Sequence, residues 1–300
     1  MELWVVFTIA AAATQALRTA VQRRVTSTIG NLGASYIRFS YAFPIAWLFS
    51  LLYNNFAGTT LPDLTATFWV WINLAALTQV LFTILLVQLF SHRSFAAAVA
   101  FSKTEVLQTA IFEALILRVV VTLQTGAAIA LGVFATVLLS FAKASLKLAN
   151  LRAAIFSRQV AIGLAAGAFL GFCTVCYGAA LHSMIGGDVI GNAMYAAAIG
   201  TTIQAFCFGI YIFIVRREQF IASFLEWRQC SMAGVWAATT SICWFAGFAL
   251  YSVAPVRAVG QIELLFSVGF SVIYFKERIS RTEFTAIALL ATSIIMVLLD

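Results

Sequence analysis

The chain has 300 residues, of which 63% are hydrophobic and 10% charged, with a mean hydropathy of +1.00. Soluble domains usually carry about 25% charged residues, so this composition excludes a water-soluble globule: there is too little polar surface to cover its core. The net charge of +7 fits basic loops lying beside anionic lipid, which makes the lipid bilayer a partner and argues against nucleic acid.

In chain order, the apolar runs predict ten membrane helices at about 3–22, 33–53, 67–90, 95–117, 122–141, 159–181, 189–215, 230–251, 254–275 and 282–299. A helix needs roughly 20 apolar residues to cross about 30 Å of hydrocarbon, and runs of this length exceed what a buried core helix uses. Met1 to Leu17 has the length of a signal peptide, but Glu2 stands where a basic n-region belongs and similar spans follow, so it reads as the first membrane helix. The runs are continuous and lack the alternation of a membrane barrel strand. Connections at Ser91-His92-Arg93-Ser94 and Ser252-Val253-Ala254-Pro255 leave barely a turn between helices. The longest break, Lys143 to Arg158, lies near the midpoint and divides the chain into five-helix halves at 1–150 and 151–300.

The halves resemble one another. Adding 158 to a position in the fourth and fifth spans takes Ser94 to Ser252, Ala96 to Ala254, Ala100 to Ala258, Glu105 to Glu263, Leu107 to Leu265, Phe112 to Phe270 and Arg118 to Lys276. It also takes Ala128-Ile129-Ala130-Leu131 to Ala286-Ile287-Ala288-Leu289. Apolar matches are cheap in membrane sequence; the matched glutamates and the matched basic residues are not. Five helices per half, an odd number, turn the second half over in the membrane, giving the inverted repeat from which alternating access is built.

With these features in place, the chain resembles the EamA-type members of the drug/metabolite transporter superfamily. The resemblance covers nearly all 300 residues: two five-helix halves, short connections, an acidic residue in the fourth helix of each half, and the stretch Gly260-Gln261-Ile262-Glu263 through Phe275-Lys276-Glu277-Arg278-Ile279-Ser280. In the first half Val119 stands where Glu277 stands in the second. The resemblance implies an all-α integral membrane protein of ten helices in two inverted repeats. Members of the family move amino acids, other metabolites or drugs, often outward, so a small-molecule substrate is implied. The chain fits either a monomer or a homodimer, as ten helices enclose a cavity alone.

Lys and Arg near the span ends set the orientation. Connections after odd-numbered helices contain Arg23, Arg24, Arg93, Lys143, Lys147, Arg152, Arg158, Arg216, Arg217, Arg228, Lys276, Arg278 and Arg281, whereas those after even-numbered helices offer little beyond Arg118. The positive-inside rule then puts both termini outside the cytoplasm in a multi-pass inner-membrane protein. The resemblance implies cytoplasmic termini; the charge bias is followed here.

Glu105 and Glu263 lead the candidate site residues, because an ionised carboxylate at bilayer depth is expensive and marks a lined cavity or an ion pathway. Each could exchange a proton as its exposure changes, or simply hold a helix crossing together. Lys103, two positions before Glu105, is off its helical face. Arg257 and Gln261 share a span with Glu263, with Arg257 near the membrane surface. Arg38, five residues into the second span, offers a carboxylate two parallel hydrogen bonds, or else snorkels to the interface. Glu113 reads as an interfacial residue matched in charge by Arg118.

Gln79, Gln204 and Asn192, with Gln15 and Gln261, supply amides for a cavity lining. Trp244 and Tyr177, with Trp47, Tyr195 and Tyr251, supply aromatic faces. Trp69, Trp71 and Trp227 read as interfacial anchors. Gly163, Gly167 and Gly171 repeat every four positions and predict close approach by another helix. Pro44 and Pro255 kink or begin helices.

Enzymatic motifs are missing. Cys173 and Cys176 form an isolated C-x-x-C in an apolar helix, His92 and His182 are far apart, and there is no phosphate-binding loop. No cofactor and no metal are expected. The sequence reading is a secondary active transporter that exports an amino acid or related small metabolite by alternating access with proton coupling. Export of lipophilic drugs or of a lipid-linked metabolite, a channel, and a non-transport membrane enzyme stand as alternatives.

Overall fold

Inside hydrocarbon a backbone group finds no water, and a helix satisfies every internal N–H and C=O within one segment. The apolar runs accordingly become helices in this computed structural model, which describes residues 2–89, 101–143, 158–276 and 280–300. Helices α1 (Leu3–Ser40), α2 (Ala42–Ala57), α3 (Ala66–Leu89), α4 (Glu105–Ile116), α5 (Leu123–Lys143) and α6 (Arg158–His182) come first. They are followed by α7 (Val189–Val215), α8 (Arg217–Leu225), α9 (Trp227–Leu250), α10 (Val253–Gly260), α11 (Ile262–Phe275) and α12 (Arg281–Leu298). A two-residue antiparallel pair, β1 (Asp63–Leu64) with β2 (Met184–Ile185), joins Asp63 to Ile185 and Leu64 to Met184. Positions 90–100, 144–157 and 277–279, which include His92, Arg93, Lys147, Arg152, Glu277 and the 150/151 boundary, lie outside the described residues.

Among the described residues, seven helical segments are long and apolar enough to cross a membrane. They are Leu3–Ala57, Ala66–Gln88, Leu123–Ala142, Val160–His182, Val189–Val215, Trp227–Leu250 and Arg281–Leu298. Among the described residues the chain is thus all-α apart from the short strand pair, with the helices of a multi-pass membrane protein. The expected fourth and ninth spans do not form single long helices, because both are interrupted. The described part of the fourth is helical at Phe101 and Ser102, turns at Lys103 and Thr104, and continues as α4. The ninth is split at Gln261 into α10 and α11.

The chain divides into two compact units, Met1–Val80 with Cys176–Ser252, and Leu81–Val175 with Val253–Asp300. These are contact relations, whereas the expected halves at 1–150 and 151–300 are a relation between sequences, so the boundaries differ in kind.

In the first unit α1 packs against α7, α8 and α9, and α2 against α7 and α9. Small side chains permit the approach: Ala42 and Ala46 of α2 meet Ala198 of α7 and Ala237 and Ala238 of α9, all buried. The expected loop at 23–32 is helical up to Gly30. Val25 and Ile29, four apart, are buried while Arg23, Arg24, Ser27 and Thr28 are exposed, an amphipathic stripe that prolongs the helix past its apolar span. Gly30 then breaks it with φ 74° and ψ 171°, a conformation open essentially to glycine alone. Beyond the break, Gln219 of α8 accepts hydrogen bonds from the Leu32 and Gly33 N–H groups at 3.0 and 3.2 Å, replacing the helical bonds that were lost. The expected second span is therefore the end of α1 joined to α2 through a turn at Tyr41, with Pro44 in the first turn of α2, where its missing N–H is harmless.

In the second unit α5 runs along α12, and α10 packs on α4, α5 and α12. Ser293 of α12 donates to the Ala128 carbonyl of α5 at 2.7 Å. Ser280 caps α12 in a box with Glu283, which fixes where that helix begins. Asp300 accepts hydrogen bonds from Thr122 and from Thr125, the latter at 2.6 Å, closing the far end of the α12 and α5 pair.

Candidate functional site

Glu105 sits in the first turn of α4 and is 4% exposed. A lone carboxylate so buried would carry a large desolvation cost, and the fold answers it with Arg257 of α10, whose Nη2 donates to Glu105 Oε1 in an ion pair. The other oxygen, Oε2, is buried and has no hydrogen-bond partner among the described residues. Arg257 is therefore held largely inside the protein, because Glu105 supplies the counter-charge that lets a guanidinium stay there.

Two turns further along α4, Glu113 is 1% exposed and accepts from the N–H groups of Val253 and Ala254 at 2.6 and 2.7 Å. Both oxygens cap the start of α10, where the next residue, Pro255, has no N–H to satisfy. Glu105 and Glu113 therefore hold α10 at two points, its side chain at Arg257 and its backbone at the N-terminus.

The glycine stripe on α6 explains why the interruption before α4 fits. A Cβ on Gly167 would lie 2.9 Å from the Ser102 carbonyl oxygen, and one on Gly171 would lie 3.0 Å from that of Glu105. The expected close approach is therefore to the turn that presents Glu105. Gln108, one turn beyond the interruption, donates to Thr104 Oγ1 at 3.1 Å and to the Leu164 carbonyl of α6 at 3.4 Å. On the α10 and α11 side, Thr136 of α5 donates to Gln261 Oε1 at 2.7 Å, anchoring the residue at that interruption. Glu263 follows directly in the first turn of α11, partly buried. Both glutamates thus begin helices, where the helix dipole favours negative charge.

The other sequence candidates lie in the first unit. Gln204 and Tyr177 meet in a direct hydrogen bond, both buried, and the Tyr177 ring lies 4.4 Å from that of Phe245. Trp244 donates from Nε1 to Gln15 Oε1 at 3.1 Å and stacks on Phe248. Asn192 donates to the Gly186 carbonyl at 2.8 Å, closing the turn ahead of α7 beside Asp188, which caps that helix. Arg38, in the last turn of α1, lies over the Phe39 ring at 4.5 Å. Gln79 is partly buried on α3. Arg38, Gln79 and Glu263 each have a further neighbour that engages them.

The sequence reading missed the pairing of Glu105 with Arg257 and the capping role of Glu113. One signal was available: the position that matches Arg257 in the first half is Val99, so this arginine is a charge that departs from the repeat. None of the five cysteines forms a disulfide, Cys173 and Cys176 are buried, and no group of three or more potential metal ligands occurs among the described residues.

No family model matches the chain, and no curated protein matches it. Among solved structures 19 chains do. One, described only as "Crystal structure of protein", is 14% identical with a TM-score of 0.72 over 99% of this chain and 96% of that chain. At that identity the likeness is one of fold alone.

Proposed function

We propose that the chain is a secondary active transporter of the EamA type, exporting an amino acid or related small metabolite across the inner membrane by alternating access with proton coupling. The observation that carries this reading is the Glu105 carboxylate, buried beside an interruption in one helix and paired with Arg257 ahead of an interruption in another. Interrupted membrane helices that bring ionisable groups to one place are how secondary transporters build substrate and coupling-ion sites. Ionisable residues inside a membrane protein are otherwise rare.

The ten-helix inverted repeat belongs to the same reading, and three observations support it. The interruptions at Lys103-Thr104 and Gln261 match under the shift of 158 that relates Glu105 to Glu263. Arg118 and Lys276, also 158 apart, are the non-glycine residues with positive φ among the described residues, at 57° and 53°. Helices in matching positions pack on each other: α2 on α7 and α5 on α12. A contact between counterparts is what a two-fold axis between the halves would require.

In the proposed cycle external protons load a carboxylate, and their release inside drives substrate outward. The charge bias of the connections puts both termini outside the cytoplasm. The test is pH-driven transport in liposomes by Glu105→Gln and Glu263→Gln. Each amide keeps the shape of the side chain and removes its proton exchange, so at least one variant is expected to lose pH-driven transport while remaining folded. Undiminished pH-driven transport in both would sink the proton role.

A further inference from the structure

Given the transport reading above, on which the following rests, the ion pair itself specifies a kind of substrate. We infer that Glu105 and Arg257 form the binding site of a zwitterion, which enters between them with its ammonium on Glu105 and its carboxylate on Arg257.

The first ground is the open valence of Glu105. Oε1 is held by Arg257, whereas Oε2 is buried and has no hydrogen-bond partner among the described residues. Polar atoms so buried are nearly always bonded, and a carboxylate oxygen left open in the interior fits a donor that arrives with a ligand. An incoming ammonium has three such donors, and it can bond Oε2 before the protein pair separates.

Charge balance is the second ground. The pair is neutral and buried: the side chains of Arg257 and Glu105 are 12% and 5% exposed. A simple cation that claimed Glu105 would strand Arg257, and a simple anion that claimed Arg257 would strand Glu105. Stranding one member of a buried pair is strongly unfavourable. A zwitterion replaces one ion pair by two and leaves no charge uncompensated. Of the charged groups on the neighbouring elements, Glu263 at the start of α11 has a partner of its own, and Arg281 and Glu283 lie in the first turn of α12. Helix α5 has no ionisable side chain between Leu123 and Ala142, and α6 has no Lys, Arg, Asp or Glu after Arg158. Glu113 is already committed to the N–H groups of Val253 and Ala254.

Position is the third. Arg257 precedes the Gln261 interruption by one turn, and Glu105 directly follows the one at Lys103-Thr104, so the pair bridges two places where the backbone departs from the helix. Helix segments that meet at such points can move against each other, so parting this pair is the step to which substrate would be coupled.

The experiment uses the full chain in liposomes and three labelled pools with matching side chains: mixed L-amino acids, their decarboxylated amines and their deaminated acids. Counterflow is measured for the wild type, Glu105→Gln, Arg257→Gln and the double variant. The expected result is exchange of the amino-acid pool at least about tenfold faster than of either other pool, lost in all three variants. The double variant leaves no unpaired charge at the site and serves as the folded control, checked by monodisperse elution. Amines or acids exchanged as fast as amino acids would overturn the zwitterion site and leave a carrier. So would amino-acid exchange at the wild-type rate by the double variant. No exchange of any pool by folded wild-type protein would overturn the amino-acid reading and this inference together.

Discussion

Glu105 and Arg257 pair across α4 and α10 although 152 positions separate them in the chain. Removing one member leaves the other charge buried and uncompensated, which typically destabilises by about 3–5 kcal/mol, whereas removing both leaves only a neutral gap. Arg257→Gln is therefore expected to lower stability in detergent more than the Glu105→Gln/Arg257→Gln double variant does. Unfolding midpoints of the two variants beside the wild type check this. A double variant at least as unstable as the single one would mean that the pair contributes through something other than charge compensation.

Glu113 offers a second measurement on the same helix. Both of its oxygens accept from the start of α10, so Glu113→Gln keeps one acceptor while Glu113→Ala keeps none. Each lost acceptor strands a buried N–H at a cost of about 1–3 kcal/mol, so stability should fall in the order wild type, Gln, Ala. Hydrogen exchange at Val253 and Ala254 should rise in the same order. Unchanged protection of those two amides in Glu113→Ala would contradict the capping role.

Gly171 tests whether close packing positions the site. A Cβ there would meet the Glu105 carbonyl oxygen at 3.0 Å, and neither backbone can yield without shifting the interruption. Gly171→Ala is expected to cost about 1–3 kcal/mol, the usual penalty of overpacking, and to reduce transport. Gly126→Ala, where the nearest atom to an added Cβ is a Val121 methyl at 3.9 Å, serves as the tolerant control. Equal stability of the two variants, measured by thermal unfolding, would count against the proposed fit.

Two signals in the sequence were the most legible. Hydropathy located the helices, because length and apolarity alone decide what crosses a bilayer. The Gly167 and Gly171 spacing foretold a close contact, because only glycine lets backbones approach so far. The interruptions were less visible: Lys103-Thr104 and Gln261 are ordinary residues whose turns arise from tertiary packing, and hydropathy averages over them. The pairing of Arg257 was hidden for the same reason, since its burial depends on a carboxylate that lies far away in the chain. The helical extension to Gly30 hid in a polar stretch, where only the Val25 and Ile29 spacing marks a buried face.

Asp300 provides a pH-dependent readout outside the membrane spans. Hydrogen bonds from Thr122 and then Thr125 hold its carboxyl below the usual aspartate range. A carboxylate whose pKa is lowered by folding adds stability above its unfolded pKa and loses it as the pH falls through the folded value. The wild type should therefore be more stable than Asp300→Asn at neutral pH, with the gap closing as the solution is acidified below the normal carboxylate range. A difference in melting temperature that stays constant from neutral to acidic pH would contradict the assignment.

Carrier activity is tested most directly by counterflow: liposomes preloaded with mixed unlabelled amino acids and diluted into a labelled pool, beside protein-free vesicles. The account predicts transient, saturable accumulation of label that only the protein-containing vesicles show. Folded protein that gives no accumulation above the empty vesicles, or flux that rises without saturation and shows no counterflow, would contradict it.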